Sequence, residues 1–260
     1  MSKKIDYAAS GVNIEAGNEA VRLMKAEVSK TYTPAVLSDL GTFGSLYDLK
    51  ALFNEYDHPV LVQSIDGVGT KSIVAEMADD FSNLGEDLLS ATANDILVMG
   101  AKPLTLLDYI ASDKIDPKNI ANLVNGLAKA CQRNSVALVG GETAEMPDTY
   151  CAGAHDFVGV VTGVVDKNKI IDGKNIKPGD KLIALESSGL HTNGFSLARY
   201  ILFKQNNFDL NSTHEHLNGV SLKDALLAPH INYQTHVHAL LDNNIEVKGM
   251  AHITGGGLIE

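Results

Sequence analysis

Between Glu19 and Lys30, Ala20, Leu23, Met24 and Val28 fall on one side of a 3.6-residue period, which predicts a helix. After the loop Gly41-Thr-Phe-Gly44, a second helical pattern covers Leu46 to Tyr56. Pro59 to Ile65 reads as a strand that breaks off in Asp66-Gly-Val-Gly-Thr-Lys71. Gly85 to Gly100 reads as a helix, and Leu88, Leu89, Ala93, Ile96 and Met99 share its broad apolar face. A strand over Thr105 to Ile110 follows, then a helix opened by Asp116-Pro117 and running to Arg133. Ser135 to Val139 reads as a strand running into Gly140-Gly-Glu-Thr-Ala-Glu-Met-Pro147, and Phe157 to Val165 as another.

The polar stretch Lys167 to Asp180 carries Asp172-Gly173 and Pro178-Gly179, and a domain boundary is expected there, dividing residues 1–170 from 171–260. The second unit opens with a strand over Lys181 to Leu185, then the loop Glu186 to Gly194 and a helix over Phe195 to Lys204. A further helix is expected over Pro229 to Leu241, before Gly249 to Thr254 leads into Gly255-Gly-Gly257. Strands alternating with helices make the chain α/β. It stops at Leu258-Ile-Glu260, directly after a triple-glycine turn that looks like a helix start, so we expect a fragment with an incomplete second domain.

Composition narrows the function. With 45% apolar and 20% charged residues, the 260-residue chain is ordinary for a folded protein. Its net charge of −11 argues against nucleic-acid binding, which needs clustered cations, yet leaves a small phosphorylated partner open. Two cysteines, Cys131 and Cys151, make no disulfide framework, and no apolar leader or membrane-length stretch occurs. A cytoplasmic protein without a membrane partner is the expectation.

Four segments carry chemistry. In Asp66-Gly-Val-Gly-Thr-Lys71 the glycines let backbone N–H groups face an anion, Lys71 adds a cation, and Asp66 is suited to Mg²⁺. The plain alternative is a tight turn with a solvated Asp and Lys. On the following helix Asp87 and Asn94 lie opposite the apolar face, with Asp95 at their edge. That stripe is either solvated or aimed at the Asp66 turn, where it would gather oxygen ligands for Mg²⁺. Gly140-Gly141 allows close backbone approach, Glu142 is suited to ligating a metal or orienting a water, and Glu145 to capping local backbone. Ser187-Ser-Gly-Leu-His-Thr-Asn-Gly194 joins a strand to a helix and makes an anion site in which His191 is able to transfer protons. His236, His238 and His252 lack zinc spacing, and Cys131 reads as packed.

Taken together these strings resemble the aminoimidazole ribonucleotide synthetase family, also called phosphoribosylformylglycinamidine cyclo-ligases. The resemblance also uses Gly11-Val-Asn-Ile-Glu15, Ala16-Gly-Asn18, Asn94-Asp95, Leu226-Leu-Ala-Pro229 and His252-Ile-Thr-Gly-Gly-Gly257, in family order from near Tyr7 onward. Ile65 before Asp66 is a minor departure, because a small or hydroxyl residue is common there.

The resemblance implies a two-domain ATP-binding synthetase fold, with N-terminal domains pairing into a barrel in a homodimer. It implies an ATP- and Mg²⁺-dependent ring closure in purine biosynthesis, acting on a phosphorylated ribonucleotide. Carried over by position, Asp66, Asp95 and Glu142 are the acidic groups around Mg²⁺ and nucleotide. The segment Gly67, Gly69, Thr70 and Lys71 holds phosphates, together with Gly140 and Gly141. Gly41 to Gly44 is a flap near ATP and Lys25 reaches the cleft. Ser188, Gly189, His191 and Asn193 form the substrate loop, and His191, Lys25 and Glu142 are the catalytic candidates. Two rivals remain: a nucleotide-binding fragment without catalysis, and a related ATP-dependent synthetase or kinase. Selenophosphate synthetase is disfavoured because Gly41 to Gly44 lacks a cysteine.

Overall fold

The computed structural model describes residues 11–255. The sequence before Gly11, most of the expected triple-glycine turn and the closing Leu258-Ile-Glu260 lie outside the described residues.

Helix α1 covers Ile14–Ser29, starting earlier than its apolar pattern because the Asn13 side chain accepts the Ala16 N–H. It buries Ala16, Ala20, Met24 and Val28, a four-residue spacing that leaves Leu23 on the solvent side. Of the expected helix over Leu46 to Tyr56 only α2, Leu52–Glu55, forms. The rest is held in turns by Leu37 N–H to Leu46 C=O and Asp48 N–H to Ala35 C=O.

Strands β1 (Pro59–Gly67), β2 (Lys102–Ser112), β3 (Ala137–Glu145) and β4 (His155–Asp166) make one sheet in the order β1-β4-β2-β3. β4 runs antiparallel to both neighbours, while β2 and β3 are parallel. β1 and β3 reach farther than expected, so Asp66 and the Gly140–Glu145 segment lie within strands. Between these strands lie α3 (Lys71–Ala78), α4 (Leu84–Leu97) and α5 (Pro117–Arg133). Asp116 caps α5 by accepting the N–H groups of Lys118 and Asn119.

One face of the sheet is covered by α4 and α5, with α1 against α5 and β3. Leu88, Leu106, Ile110, Leu138, Phe157 and Val161 fill this layer. α4 and α5 approach closely at Gly85, where a Cβ would stand 2.2 Å from Leu127 N and 2.3 Å from Leu123 O. The opposite face is open, with Leu61 53%, Ile65 67% and Leu107 40% exposed.

After Asp166 the chain makes a short 3₁₀ turn, Lys167–Lys169. The expected strand over Lys181 to Leu185 pairs with no other strand among the described residues, and Leu182 is 93% exposed. α6 (Phe195–Arg199) widens into a π-helical turn, Tyr200–Gln205; α7 (Leu222–Leu226) and α8 (Gln234–Asp242) follow. α8 begins at Gln234 rather than Pro229 because side chains from elsewhere take the preceding backbone groups, as described next.

Candidate functional site

The alternation of β1 turns Ser64 and Asp66 toward the helix-covered face. There the Ser64 hydroxyl donates to Asp95 Oδ2 at 2.7 Å, and Asp95 Oδ1 lies 2.9 Å from His252 Nδ1. The Asp66 carboxylate accepts the adjacent Gly67 N–H at 2.7 Å. Thr70 Oγ1 stands 3.0 Å from Ser196 Oγ, so the turn holding Gly67, Gly69 and Thr70 abuts the start of α6.

Lys71 departs from expectation. Its side chain has no exposure, and its ammonium lies 2.7 Å from Asp87 Oδ2 and donates to the Ala228 carbonyl at 2.8 Å. It is a buried structural cation beneath the turn, not a free group for a phosphate. Burial pushes the Asp87 carboxyl up to about 6 and the Lys71 ammonium down, with the attraction between them opposing both shifts.

The Asp87 and Asn94 stripe is neither solvated nor open for a metal. Asp87 Oδ1 accepts the His230 N–H at 2.7 Å. Asn94 donates to the Ile231 carbonyl at 2.9 Å and accepts the Tyr233 N–H at 3.1 Å. Asn83 donates to the Leu227 carbonyl at 3.1 Å, and the Ser188 hydroxyl donates to that of Pro229. Residues 227–233 are therefore a thread held by side chains through its backbone.

His191 sits at φ +56° in its loop, stacked on His230 with ring centroids 4.1 Å apart. Its Nε2 accepts the Ser188 N–H at 3.1 Å, leaving Nδ1 as the protonated nitrogen of a neutral ring. Burial, reinforced by Lys71 and His252, lowers its pKa. Gly189 lies in the same loop; Asn193 is exposed, its N–H donating to Leu190 C=O at 3.1 Å.

His230 is a residue the sequence reading missed. It is wholly buried, with Nε2 3.2 Å from Asn94 Nδ2 and Nδ1 3.3 Å from Thr192 Oγ1. Burial pushes its pKa down to about 2, so it is neutral. The one signal for it was its place directly after Leu226-Leu-Ala-Pro229.

The remaining candidates lie on the other edge of the sheet. Gly140, Gly141 and Glu142 are on β3, and Lys25 is exposed on α1. Gly44 lies in an exposed loop whose Thr42 hydroxyl donates to the Gly44 carbonyl at 2.9 Å. Glu145 caps backbone as expected, accepting the N–H groups of Asn13 and, at 2.9 Å, Ile115. A cavity of about 360 Å³ lies between α1, β3 and residues 40–42. Asp108 faces it, its carboxyl pushed up to about 7 by burial. Gly141 has to be glycine, because a Cβ there would stand 2.5 Å from Asp108 Oδ1.

The register aligns Asp66, Gly159, Asp108 and Gly141 across the four strands. Three strand spacings put the Asp66 edge about 14 Å from the Gly141 edge. Asp66 and Asp95 thus share one edge while Glu142 lies on the other, and the expected three-acid set does not gather within one chain. Among the described residues no three His, Cys, Asp or Glu side chains stand together as metal ligands.

Two family models match the chain: the AIR synthase related protein N-terminal domain over residues 48–165 and its C-terminal domain over 177–260. A phosphoribosylformylglycinamidine cyclo-ligase of Carboxydothermus hydrogenoformans is 46% identical over 99% of this chain and 74% of its own length. Its counterpart in Geobacillus thermodenitrificans is 47% identical over 98% of this chain and 72% of its own. Among solved structures, thiamine-monophosphate kinase from Stenotrophomonas maltophilia superposes with a TM-score of 0.57 at 17% identity, covering 85% of this chain and 63% of that one. E. coli HypE, a hydrogenase maturation protein, gives 0.55 at 17% identity, covering 85% and 60%. These two structures share the fold.

Proposed function

The chain belongs to the AIR synthase related family of phosphoribosylformylglycinamidine cyclo-ligases, and from that premise we propose how its residues divide the work of an ATP-dependent ring closure. It is a ligase of purine biosynthesis. ATP phosphorylates the formyl oxygen of formylglycinamidine ribonucleotide, an amidine nitrogen attacks that carbon, and ADP and phosphate leave. Such chemistry depends on positioning and charge stabilisation more than on a protein nucleophile.

The observation that carries the assignment of residues is the seating of the Gly67–Thr70 turn against Thr192 and Ser196. In our reading the backbone N–H of Gly69 donates to a phosphate oxygen, and that of Gly67 joins it on exchanging its Asp66 partner for phosphate, with Lys71 fixing the turn from beneath. Ser188, Gly189 and Asn193 line the ribonucleotide side. His191, held neutral, offers an N–H to the developing charge or exchanges a proton with the substrate. Lys25, Gly44, Gly140, Gly141 and Glu142 act at the nucleotide from the other edge.

Asp66 and Asp95 provide hard carboxylate oxygens of the kind Mg²⁺ prefers. Asp95 already serves Ser64 and His252, so within one chain the set is right in kind and short in number. The ion, when bound, neutralises charge on the phosphates. A homodimer supplies what is missing if Glu142 of a second copy faces the Asp66 edge. The open sheet face, with Ile65 67% exposed, supports such pairing. A cytoplasmic protein without nucleic-acid partners agrees with the net charge of −11; among the described residues no helix is long and apolar enough to cross a membrane.

The test is ADP release with Mg-ATP, with and without formylglycinamidine ribonucleotide. Release that depends on the ribonucleotide is expected. ATP binding without it would return the reading of a nucleotide-binding protein without catalysis.

A further inference from the structure

The left-handed backbone of His191 is unfavourable for a residue with a Cβ and persists only where neighbours over-determine it. Two contacts of the ring do so: the Ser188 N–H given to Nε2, and the stack on His230, 19° from parallel. The first lies within the loop itself, while the second ties the ring to the thread at 227–233. Tyr233 stands farther off, with ring centroids 6.3 Å apart and the planes tilted by 51°.

His230 is in turn fixed from three directions. The Tyr233 N–H donates to Asn94 Oδ1, so the Asn94 amide turns its Nδ2 toward His230 Nε2 at 3.2 Å. That ring nitrogen is therefore the acceptor, and Nδ1 carries the proton toward Thr192 Oγ1 at 3.3 Å. The His230 N–H goes to Asp87 Oδ1, on the carboxylate paired with Lys71. An unbroken series of contacts thus runs from the Gly67–Thr70 turn through Lys71, Asp87 and His230 to the ring of His191. Thr192 directly follows His191 in the chain, so one buried side chain steadies both the backbone and the ring of His191.

We propose that His230 is a positioning residue: its buried ring is the shelf that holds the His191 imidazole and keeps Nδ1 as the N–H it offers to the ribonucleotide. The proposal rests on the reading of His191 as the group that meets the substrate, and adds the residue that aims it. A ring is needed for this task. The χ2 torsion of histidine is soft and roughly two-fold, so an imidazole without a shelf turns over and exchanges its two nitrogens. An acceptor would then stand where a donor is required. A flat neutral ring 4.1 Å away favours the parallel arrangement and opposes that turn.

The experiment compares the whole chain with His230→Gln, which keeps an acceptor for Asn94 and removes the ring, and His230→Phe, which keeps a ring and removes its hydrogen bonds. Nitrogen NMR of the histidines at about pH 8, where imidazole is neutral, reads the His191 tautomer. The His191 signal is the one missing from His191→Gln. A proton held on Nδ1 is expected in the unaltered protein and in His230→Phe, and a mixture of the two tautomers in His230→Gln. The result in His230→Gln stands by itself if the larger phenylalanine does not fit. Turnover with Mg-ATP and formylglycinamidine ribonucleotide gives a second readout. His230→Gln should lower kcat by about tenfold with KM for ATP unchanged, and that loss should vanish in a His191→Gln background, where His230 has nothing left to aim. A single tautomer retained in His230→Gln, or the same loss of kcat with and without His191, overturns the proposal. Full turnover in His191→Gln would instead strike at the reading of His191 itself.

Discussion

The Lys71 ammonium and the Asp87 carboxylate meet at 2.7 Å with neither side chain exposed to solvent. They join the first turn of α3 to the first turn of α4, and through the Ala228 carbonyl and the His230 N–H they also hold the thread at 227–233. Removing one partner leaves a charge in the interior. Asp87→Ala should therefore lose about 3–5 kcal/mol of stability. The double variant Lys71→Met, Asp87→Leu should lose much less than the sum of the single changes, and urea unfolding of all three variants decides it.

His230 and Asp87 give stability opposite dependences on pH. His230 has a folded pKa of about 2 against an ordinary 6.5, so its contribution is complete above pH 6.5 and is lost as pH falls toward 2. Asp87 has a folded pKa of about 6 against 3.8, so its contribution is complete below 3.8 and is lost as pH rises through 6. Between pH 4 and 6 the two largely offset. In His230→Gln only the Asp87 dependence remains, and the stability gap to the unaltered protein should narrow by about 1.4 kcal/mol per pH unit on acidification across that window. Denaturant midpoints at three pH values measure it.

Gly85 separates α4 from α5 by less than a methyl group needs. Gly85→Ala should cost about 3 kcal/mol or more, because the neighbours are backbone atoms of Leu123 and Leu127 that no rotamer change can move. A drop in thermal midpoint is the readout, and an unchanged midpoint would mean that the two helices part easily.

Ile65 lies on edge strand β1 and faces the open side of the sheet. On the homodimer proposed above, Ile65→Lys should leave the fold intact and shift the protein toward monomer in sedimentation equilibrium. A dimer of unchanged affinity would put the contact elsewhere.

For magnesium, Asp66→Asn should raise the Mg²⁺ concentration giving half-maximal ATP-dependent turnover by about tenfold if Asp66 is the carboxylate ligand proposed above. Gln63→Leu, on the open face of the same strand, should leave it unchanged.

Much of the sheet and its helices was legible in the sequence because their apolar periods are strong. The strand from Pro59 and the helix from Asp116-Pro117 fall where those signals put them. Lys181 to Leu185 has strand composition, but a strand needs a neighbour, and none of the described residues offers one. Pro229 to Leu241 has helical composition, yet its first residues stay out of the helix because Asp87, Asn94 and Ser188 take their backbone groups. Tertiary partners of this kind leave no local trace. The same limit explains Lys71: a lysine after a glycine turn looks solvated until the fold closes over it with Asp87. The strand order, which parts Glu142 from Asp66, was equally out of reach of motif spacing.

The grip on residues 227–233 acts on main-chain atoms, which every amino acid carries. Drift within this segment should therefore be permissive at Ile231, whose carbonyl is available whatever its side chain. Strictness should fall instead on the distant residues that do the holding, Asn83, Asp87 and Asn94, and on His230, whose ring is enclosed. A saturation library spanning both regions would then record intolerance far from the stretch of chain whose path it protects.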